Sequence, residues 1–213
     1  TAADLAGLTS LNAWGKKIQS LNGLEHCVNL KSLEINNNRL SSLSGLKHVP
    51  NLERLDVSFN QISSLEGLEH VHYLTCLSIV GNQLTSLVGI RNVPNLRDLH
   101  AMKNQLSSLE GLESAPNLKW FQAYDNQLSS LAGLGQVPAL EDLDVSNNQL
   151  SSLAGLDYSP NLKHLFAGGN QLSSLAGLEH VPYLERLSVG HNQLFSLAGL
   201  EHVPNLTDLS VGH

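Results

Sequence analysis

Cys76, Asp98 and His100 together supply the thiol, acid and base that nucleophilic catalysis requires. Residues 76 and 98 are 22 positions apart, which is the period at which this chain repeats itself. We therefore expect the two side chains to lie side by side, with His100 two residues further along the same segment. Nothing in the sequence indicates an oxyanion hole or a pocket that excludes water. The pattern favours three separate surface residues over an active site, and we expect no catalytic residues.

Two other sets of side chains have the chemistry of metal ligands. Glu141, Asp142 and Asp144 offer the oxygen atoms that Ca²⁺ prefers, but no loop follows that would close around an ion. Imidazoles on adjacent turns could chelate a transition metal, and five histidines recur at one repeat position. They are His26, His48, His70, His180 and His202, interrupted by Asn92, Ser114, Gln136 and Tyr158. We interpret the first set as a solvated acidic patch and the second as inherited copies, and expect neither metal nor cofactor.

A 22-residue repeat, L-x-x-L-x-[VIA]-x-x-N-x-[LI]-x-x-L-x-G-[LI], must position all of these side chains. Counting its first Leu as position 1, nine complete units begin at Leu8, Leu30, Leu52, Leu74, Leu96, Leu118, Leu140, Leu162 and Leu184, and a tenth begins at Leu206. Position 16 is Gly in every complete unit and position 21 holds all seven prolines, whereas positions 2, 3, 5, 7 and 8 vary. A constant framework with a variable face favours a binding surface over an enzyme.

The framework resembles the leucine-rich repeat. The segment Ile62-Ser-Ser-Leu65-Glu-Gly-Leu68-Glu-His-Val71 is similar to the 22-residue class of the protein phosphatase 1 regulatory subunit, and bacterial internalins use a similar unit. The resemblance covers residues 8–213 and implies an α/β repeat fold. That fold would be a right-handed solenoid with a concave parallel β-sheet and convex turns or 3₁₀ segments. Phosphatase binding cannot be carried over residue by residue, because the concave side chains determine the partner and the framework does not.

The residues agree with this fold on physical grounds. Leucines at positions 1, 4, 11, 14 and 17 would fill the interior, and no single unit can bury them without its neighbours. An Asn at position 9 is expected to bond the free backbone groups where each strand turns, which buried backbone requires. This structural ladder would consist of Asn38, Asn60, Asn82, Asn104, Asn126, Asn148, Asn170 and Asn192.

We expect one domain, a single array over residues 1–213. Residues 1–29 would form an N-terminal cap and a first atypical unit, in which Lys16 replaces the ladder Asn. Residues 30–205 would form eight regular units, and 206–213 a truncated one. Because the last unit stops after its strand, we expect a fragment, or a C-terminal edge covered by end-to-end self-association or by another chain or domain.

Composition limits the partners. A formal net charge of −7 argues against nucleic acid, which would need clustered Lys and Arg. No apolar run is long enough to insert into a membrane. Cys27 and Cys76 occupy different repeat positions and are not expected to pair, so disulfide-bonded caps are absent. This favours a cytoplasmic or bacterial origin, while a secreted or surface-attached bacterial or protist protein remains open.

Function is expected in the variable columns, because equal positions of successive units become neighbours on one surface. Aromatic residues and Met crowd the middle of the array, with charges on either side, a composition typical of a protein-binding hot spot with a polar rim. Arg97, Lys103 and Lys119 would lie on the N-terminal side, and Glu141, Asp142 and Asp144 on the C-terminal side. The predicted ligand-binding residues are His100, Met102, Lys103, Trp120, Gln122, Tyr124, Asp142, Asp144, His164 and Phe166.

The sequence therefore predicts a non-enzymatic recognition module that binds a protein or peptide on its concave face. Two alternatives stay open. The array could be a structural spacer or assembly segment, using its ends or its uniform convex face. It could also be an engineered repeat scaffold, since constant frameworks with diversified faces are how binder libraries are made.

Overall fold

The computed structural model describes residues 2–212, in which a single short α-helix precedes ten strands. Thr1 and His213, which belong to the expected cap and truncated unit, lie outside the described residues. The helix α1 spans Ala2–Ala6. The strands are β1 (Ser10–Asn12), β2 (Ser32–Glu34), β3 (Arg54–Asp56), β4 (Cys76–Ser78), β5 (Asp98–His100), β6 (Trp120–Gln122), β7 (Asp142–Asp144), β8 (His164–Phe166), β9 (Arg186–Ser188) and β10 (Asp208–Ser210).

All ten strands form one parallel sheet in sequence order, so each strand pairs with that of the next unit. The register is offset by one repeat throughout: Leu33 pairs with Leu55, for example, and Leu55 with Leu77. Each strand covers only repeat positions 3 to 5, and its central residue is buried in β2 to β9. Positions 3 and 5 therefore face the opposite side of the sheet, as alternation requires.

The convex side is built from short 3₁₀ helices, which the structure has in eight of the nine complete units. They are η1 (Leu24–His26), η2 (Ser44–His48), η3 (Leu68–His70), η4 (Val88–Asn92), η5 (Leu112–Ser114), η6 (Leu156–Tyr158), η7 (Leu178–His180) and η8 (Leu200–His202). Between η5 and η6, the unit that begins at Leu118 turns without a helix. The expected right-handed solenoid with a concave parallel sheet and a convex 3₁₀ side is confirmed.

A continuous apolar core runs between the two sides for most of the length of the array. In the unit that begins at Leu96, the inward side chains of Leu99, Leu106, Leu109 and Leu112 have no exposed surface. Each coil is roughly one residue layer thick, so these leucines are covered by the coils above and below. Stability must therefore come from stacking, because an isolated unit would expose them.

The position-9 asparagines bond the backbone on both sides of each coil. Asn60 is typical: its Oδ1 accepts the N–H of Leu40 in the preceding unit at 2.9 Å. Its Nδ2 donates to the carbonyls of Ile35 and Val57, at 3.1 and 2.9 Å, and to that of Ser58 at 3.2 Å. One side chain thus bonds four backbone groups, of which the Ser58 carbonyl also accepts the N–H of Asn37.

A second asparagine ladder lies at position 22, and the sequence analysis did not predict it. Its amide nitrogens donate to the position-21 carbonyl of the preceding coil, for example Asn117 to Pro94 at 3.1 Å and Asn161 to Pro138 at 2.8 Å. Tyr73, Ala139 and Tyr183 interrupt it. The members with such a bond are Asn51, Asn95, Asn117, Asn161 and Asn205, while Asn29 at the start of the ladder bonds the carbonyl of Ala6 in α1.

The residue at position 18 correlates with the shape of the convex arc. In the third unit Glu69 folds back and accepts the N–H of Gly67 at 2.7 Å, and Gly67 has φ +111°. The N–H groups of Glu69 and Gly67 lower the pKa of that carboxyl. Where position 18 is basic, at Lys47 and Arg91, the glycine has no positive φ and lies inside a five-residue 3₁₀ helix. A basic residue at position 18 thus accompanies a five-residue 3₁₀ helix, and Glu69 accompanies a glycine of positive φ.

Candidate functional site

The strands present two outward rows of side chains along the concave face. In the position-5 row, register places His100 beside Gln122, Gln122 beside Asp144 and Asp144 beside Phe166. In the position-3 row the neighbours across successive strands are, in order, Asp98, Trp120, Asp142 and His164. Met102 and Tyr124 follow at position 7 of the same units. We call these ten residues, together with Lys103 and Asp125 at position 8, the central concave surface.

Hydrogen bonds link several of these side chains across the strands. His100 Nδ1 lies 2.9 Å from Gln122 Oε1, and His164 Nδ1 lies 2.9 Å from Asp142 Oδ2. Asp144 Oδ1 accepts the backbone N–H of Ser146 at 3.0 Å. Such bonds reduce the rotamer freedom of the polar side chains before any ligand binds, which lowers the entropic cost of recognition.

The apolar side chains of the central concave surface do not belong to the core. Trp120 is 44% exposed, and Met102, Tyr124 and Phe166 are half-buried among their neighbours on the sheet. None of the four packs against the buried leucine cluster. Large apolar side chains that are accessible and do not pack in the core are the property expected of interface anchors.

Position 8 has a backbone feature that sequence reasoning missed. In every complete unit it adopts the left-handed region, with φ between 53° and 66°. Gly, Asn, Asp and His adopt this conformation more readily than other residues, whereas Phe59 and Lys103 do not favour it. The turn holds Lys103 at the edge of the central concave surface with its side chain exposed. At Phe59 the ring packs over Gly81, where an added Cβ would lie 2.6 Å from Phe59 Cδ1.

The expected separation of charges is wrong for Lys119 and Glu141. Both occupy position 2, and they form an ion pair of 2.7 Å, with Lys163 contacting the same carboxylate at 2.8 Å. Hydrogen bonds from Lys119 and Lys163 lower the pKa of Glu141 to about 2. Position-2 side chains, Arg97 among them, line a groove with position-22 residues on the flank of the solenoid. The strand begins only at position 3, so position 2 is not part of its outward face.

The possible catalytic trio has no activated nucleophile. Cys76 and Asp98 are direct partners in the sheet, as the spacing predicted. Burial is the main cause that raises the pKa of the Cys76 thiol, although Arg54 nearby lowers it, and the Asp98 and Asp56 carboxylates raise it further. A neutral thiol is a poor nucleophile.

The possible metal ligands are dispersed. Glu141 is held by lysines on the flank, Asp142 contacts His164, and Asp144 caps Ser146. Over residues 2–212 no group of three or more His, Cys, Asp or Glu has an arrangement that could hold a metal ion. Within the same range, no helix is both long and apolar enough to cross a membrane.

The repeat framework identifies the family. The model of tandem leucine-rich repeats matches residues 6–48, 28–70, 50–92 and 116–158, more than half of the chain. The chain therefore belongs to the leucine-rich repeat family. Proteins of this family are generally non-enzymatic scaffolds for protein interaction. A comparison with curated proteins finds no match.

Solved structures of bacterial repeat proteins share the fold. A leucine-rich repeat protein of Leptospira interrogans is 27% identical over 89% of this chain and 50% of its own, with a TM-score of 0.83. YopM from Yersinia enterocolitica is 38% identical over 86% of this chain and 38% of its own, with a TM-score of 0.72. An internalin of Listeria monocytogenes, at 23% identity over 99% of this chain and 75% of its own, shows the fold alone, with a TM-score of 0.70. The chain thus spans half or less of the first two proteins.

Proposed function

We propose that this array is a recognition module that binds a protein or peptide ligand on its central concave surface. The observation that carries the proposal is Trp120, a ring that is 44% exposed in the middle of the sheet and has no part in the core. Tyr124 and Phe166 flank it within two units. Exposed aromatic anchors surrounded by polar side chains are where protein interfaces concentrate their binding energy.

The polar side chains around the rings support the same function. His100, Gln122, Asp142 and His164 are already bonded to one another in pairs, so a ligand would meet an ordered surface. The residues of the central concave surface lie on an open, extended sheet, a shape that suits a macromolecular partner.

Trp120→Ala and Tyr124→Ala are each expected to weaken partner binding by about 2 kcal/mol or more, since a central ring is removed from the interface. Neither change should lower the thermal midpoint appreciably, because neither ring packs against the core. The partner would be captured from the native source with the intact chain, and its Kd measured by calorimetry with each variant.

Trp14→Ala is the matched control. Trp14 is also an exposed concave tryptophan, at 58%, but it lies in the first unit, far from the central concave surface. Its removal should leave the Kd unchanged. If Trp120→Ala unfolds the protein, the ring belongs to the core and the proposal is wrong. If all captured interactions survive the central substitutions, the array acts as a spacer or assembly segment.

A further inference from the structure

The central concave surface carries an excess of negative charge. Its ionisable carboxylates are Asp98, Asp125, Asp142 and Asp144, and its only permanent cation is Lys103, a net charge of −3 with both histidines neutral. Two of the three cations expected on its N-terminal side, Lys119 and Arg97, line the flank instead. The surface is therefore more acidic than the sequence indicated.

Little within the chain neutralises these carboxylates. Among residues 2–212, no Lys or Arg nitrogen lies within 4.0 Å of Asp98, Asp125 or Asp144. Within the same residues, the one ion-pair partner of Asp142 is His164, which is charged only when protonated. On the flank, by contrast, Glu141 has a lysine on each side. Glu141 thus has two lysine partners, whereas the acids beside the exposed rings have only neutral or titratable partners in the described part of the chain, such as Asn147 for Asp125.

Asp144 is the most constrained of the four acids. It is half-buried between Gln122 and Phe166, and both the backbone N–H and the side chain of Ser146 bond it. Burial is the main cause that raises the pKa of this carboxyl. The hydrogen bonds from Ser146 lower it in part, and the charges of Asp142 and Asp125 raise it further. A carboxylate that is removed from water among like charges gains most from a cation supplied by a ligand.

The aromatic rings of the central concave surface also favour a cationic ligand. The face of an aromatic ring attracts a cation, and Lys119 Nζ already lies 5.8 Å from the Trp120 ring centroid at the edge of the surface. Tyr124 and Phe166 have no such partner within the described part of the chain. Their rings lie in the same acidic surroundings as Asp144 and Asp142.

We propose that the partner presents a lysine- or arginine-bearing segment to the central concave surface, with its cations between the aspartates and the rings. This inference rests on the proposed function and specifies the chemistry of its ligand. Complementary charge would speed association and discriminate against acidic segments. The dependence on salt would be marked, because the acids are partly exposed and open to screening.

The test uses a displayed library of random peptides, selected on the full chain in low salt. Enriched peptides are expected to carry a several-fold excess of Lys and Arg over Asp and Glu relative to the input library. A triple variant, Asp98→Asn, Asp142→Asn and Asp144→Asn, should bind the enriched peptides about tenfold more weakly or worse, with the difference shrinking as salt rises. Asn at position 144 can keep the cap on Ser146, as Asn12 Oδ1 accepts the N–H of Trp14 in the first unit.

The control removes the same charge elsewhere on the concave face, with Glu34→Gln, Asp56→Asn and Asp208→Asn. At 0.15 M salt it should leave the affinity of the enriched peptides within about twofold. These acids lie two or three strands from the nearest strand of the surface, about 10 Å or more at ~4.8 Å per strand, which is beyond a Debye length of ~8 Å. Peptides that need Trp120 but show no Lys or Arg excess would overturn this inference and leave the proposed function standing. Equal loss in both triple variants would overturn it as well. If no selected peptide or captured protein depends on Trp120, both this inference and the proposed function are wrong.

Discussion

At the scale of single residues, the array depends on side chains that satisfy backbone groups between coils. Asn126 accepts the N–H of Leu106 at 2.9 Å and donates to the carbonyls of Ala101 and Ala123 at 3.0 Å each. The buried hydroxyl of Ser159 is the opposite case, since among the described residues its oxygen alone is a buried side-chain polar atom with no hydrogen-bond partner. Removing the polar group should therefore lower the free energy of unfolding at Asn126 and raise it at Ser159.

Asn126→Ala should lower the free energy of unfolding by roughly 1–3 kcal/mol, because it leaves several buried backbone groups without partners. The measurement is denaturant unfolding monitored by circular dichroism. Gln127→Ala is the control, since the neighbouring Gln127 is exposed and its side chain has no bond in the structure. Equal losses at the two sites would contradict the assigned register.

Ser159→Val should raise the free energy of unfolding by about 1 kcal/mol or more, because an unbonded buried hydroxyl is replaced by apolar surface. Position 20 holds Val in six other complete units, including Val137 and Val181 on either side, both without exposed surface. Ser152→Val, at an exposed convex position, is the control and should give no gain. A loss of stability at 159 would mean that the coil cannot accept the larger side chain.

At the scale of elements, the flank is held by a row of charges at position 2. Lys119, Glu141 and Lys163 link the starts of three successive strands through two short ion pairs. Isolated surface pairs contribute little, but an acid shared by two lysines is a small network with its geometry fixed by the sheet. The row ties neighbouring strands together beside the surface that we propose for binding.

The network gives a defined dependence on pH. The folded pKa of Glu141 is about 2, below its ordinary value of 4.5, so the ion pairs stabilise the fold fully above pH 4.5. That stabilisation is lost as the pH falls from 4.5 towards 2, where the folded carboxyl is protonated. Glu141→Gln should therefore lower Tm at pH 6 and have little effect near pH 2.

The measurement is Tm between pH 6 and pH 2 for the wild type and the variant. Glu110→Gln, which removes an exposed acid without an ion pair of 4.0 Å or less in the structure, should give a curve parallel to that of the wild type. A difference between wild type and Glu141→Gln that persists unchanged at pH 2 would exclude the ion pairs as its cause.

At the scale of the whole molecule, burial is not uniform along the array. In the middle units the inward leucines have no exposed surface, whereas Leu197 is 45% and Leu209 38% exposed. At the other end Leu21 and Leu24 are 4% and 6% exposed, and Asn29 bonds the carbonyl of Ala6 in α1. In a solenoid each coil is stabilised by its neighbours, so local stability should follow this burial.

Backbone amides of residues 184–212 should exchange with solvent at least tenfold faster than the bonded amides of residues 96–183, since their coils have fewer covered apolar contacts. Hydrogen exchange followed by mass spectrometry on the full chain would measure this. The N-terminal coil, from 8 to 29, should exchange at an intermediate rate. Uniform protection along the array would show that unfolding is global and that local burial does not govern opening.

The sequence by itself determined the period, the identity of the inward residues and the parallel register, because a strict 22-residue repeat can bury its leucines only by stacking in one way. It also placed Cys76 beside Asp98 and Trp120 beside Asp142, since equal positions must become lateral neighbours. Which of the variable positions face the concave side was only partly determined.

The tertiary structure alone decided where each strand begins, and with it the role of position 2. Lys119 precedes the strand and bonds Glu141 on the flank, whereas Trp120, one residue later, faces the concave side. The sequence also did not predict the hydrogen bond from Gly67 to Glu69 or the left-handed turn at Lys103, because neither follows from the hydrophobic period. Periodicity reports which side chains are inside, but polar side chains on the surface are placed by hydrogen bonds and charges that form only when neighbouring coils are stacked.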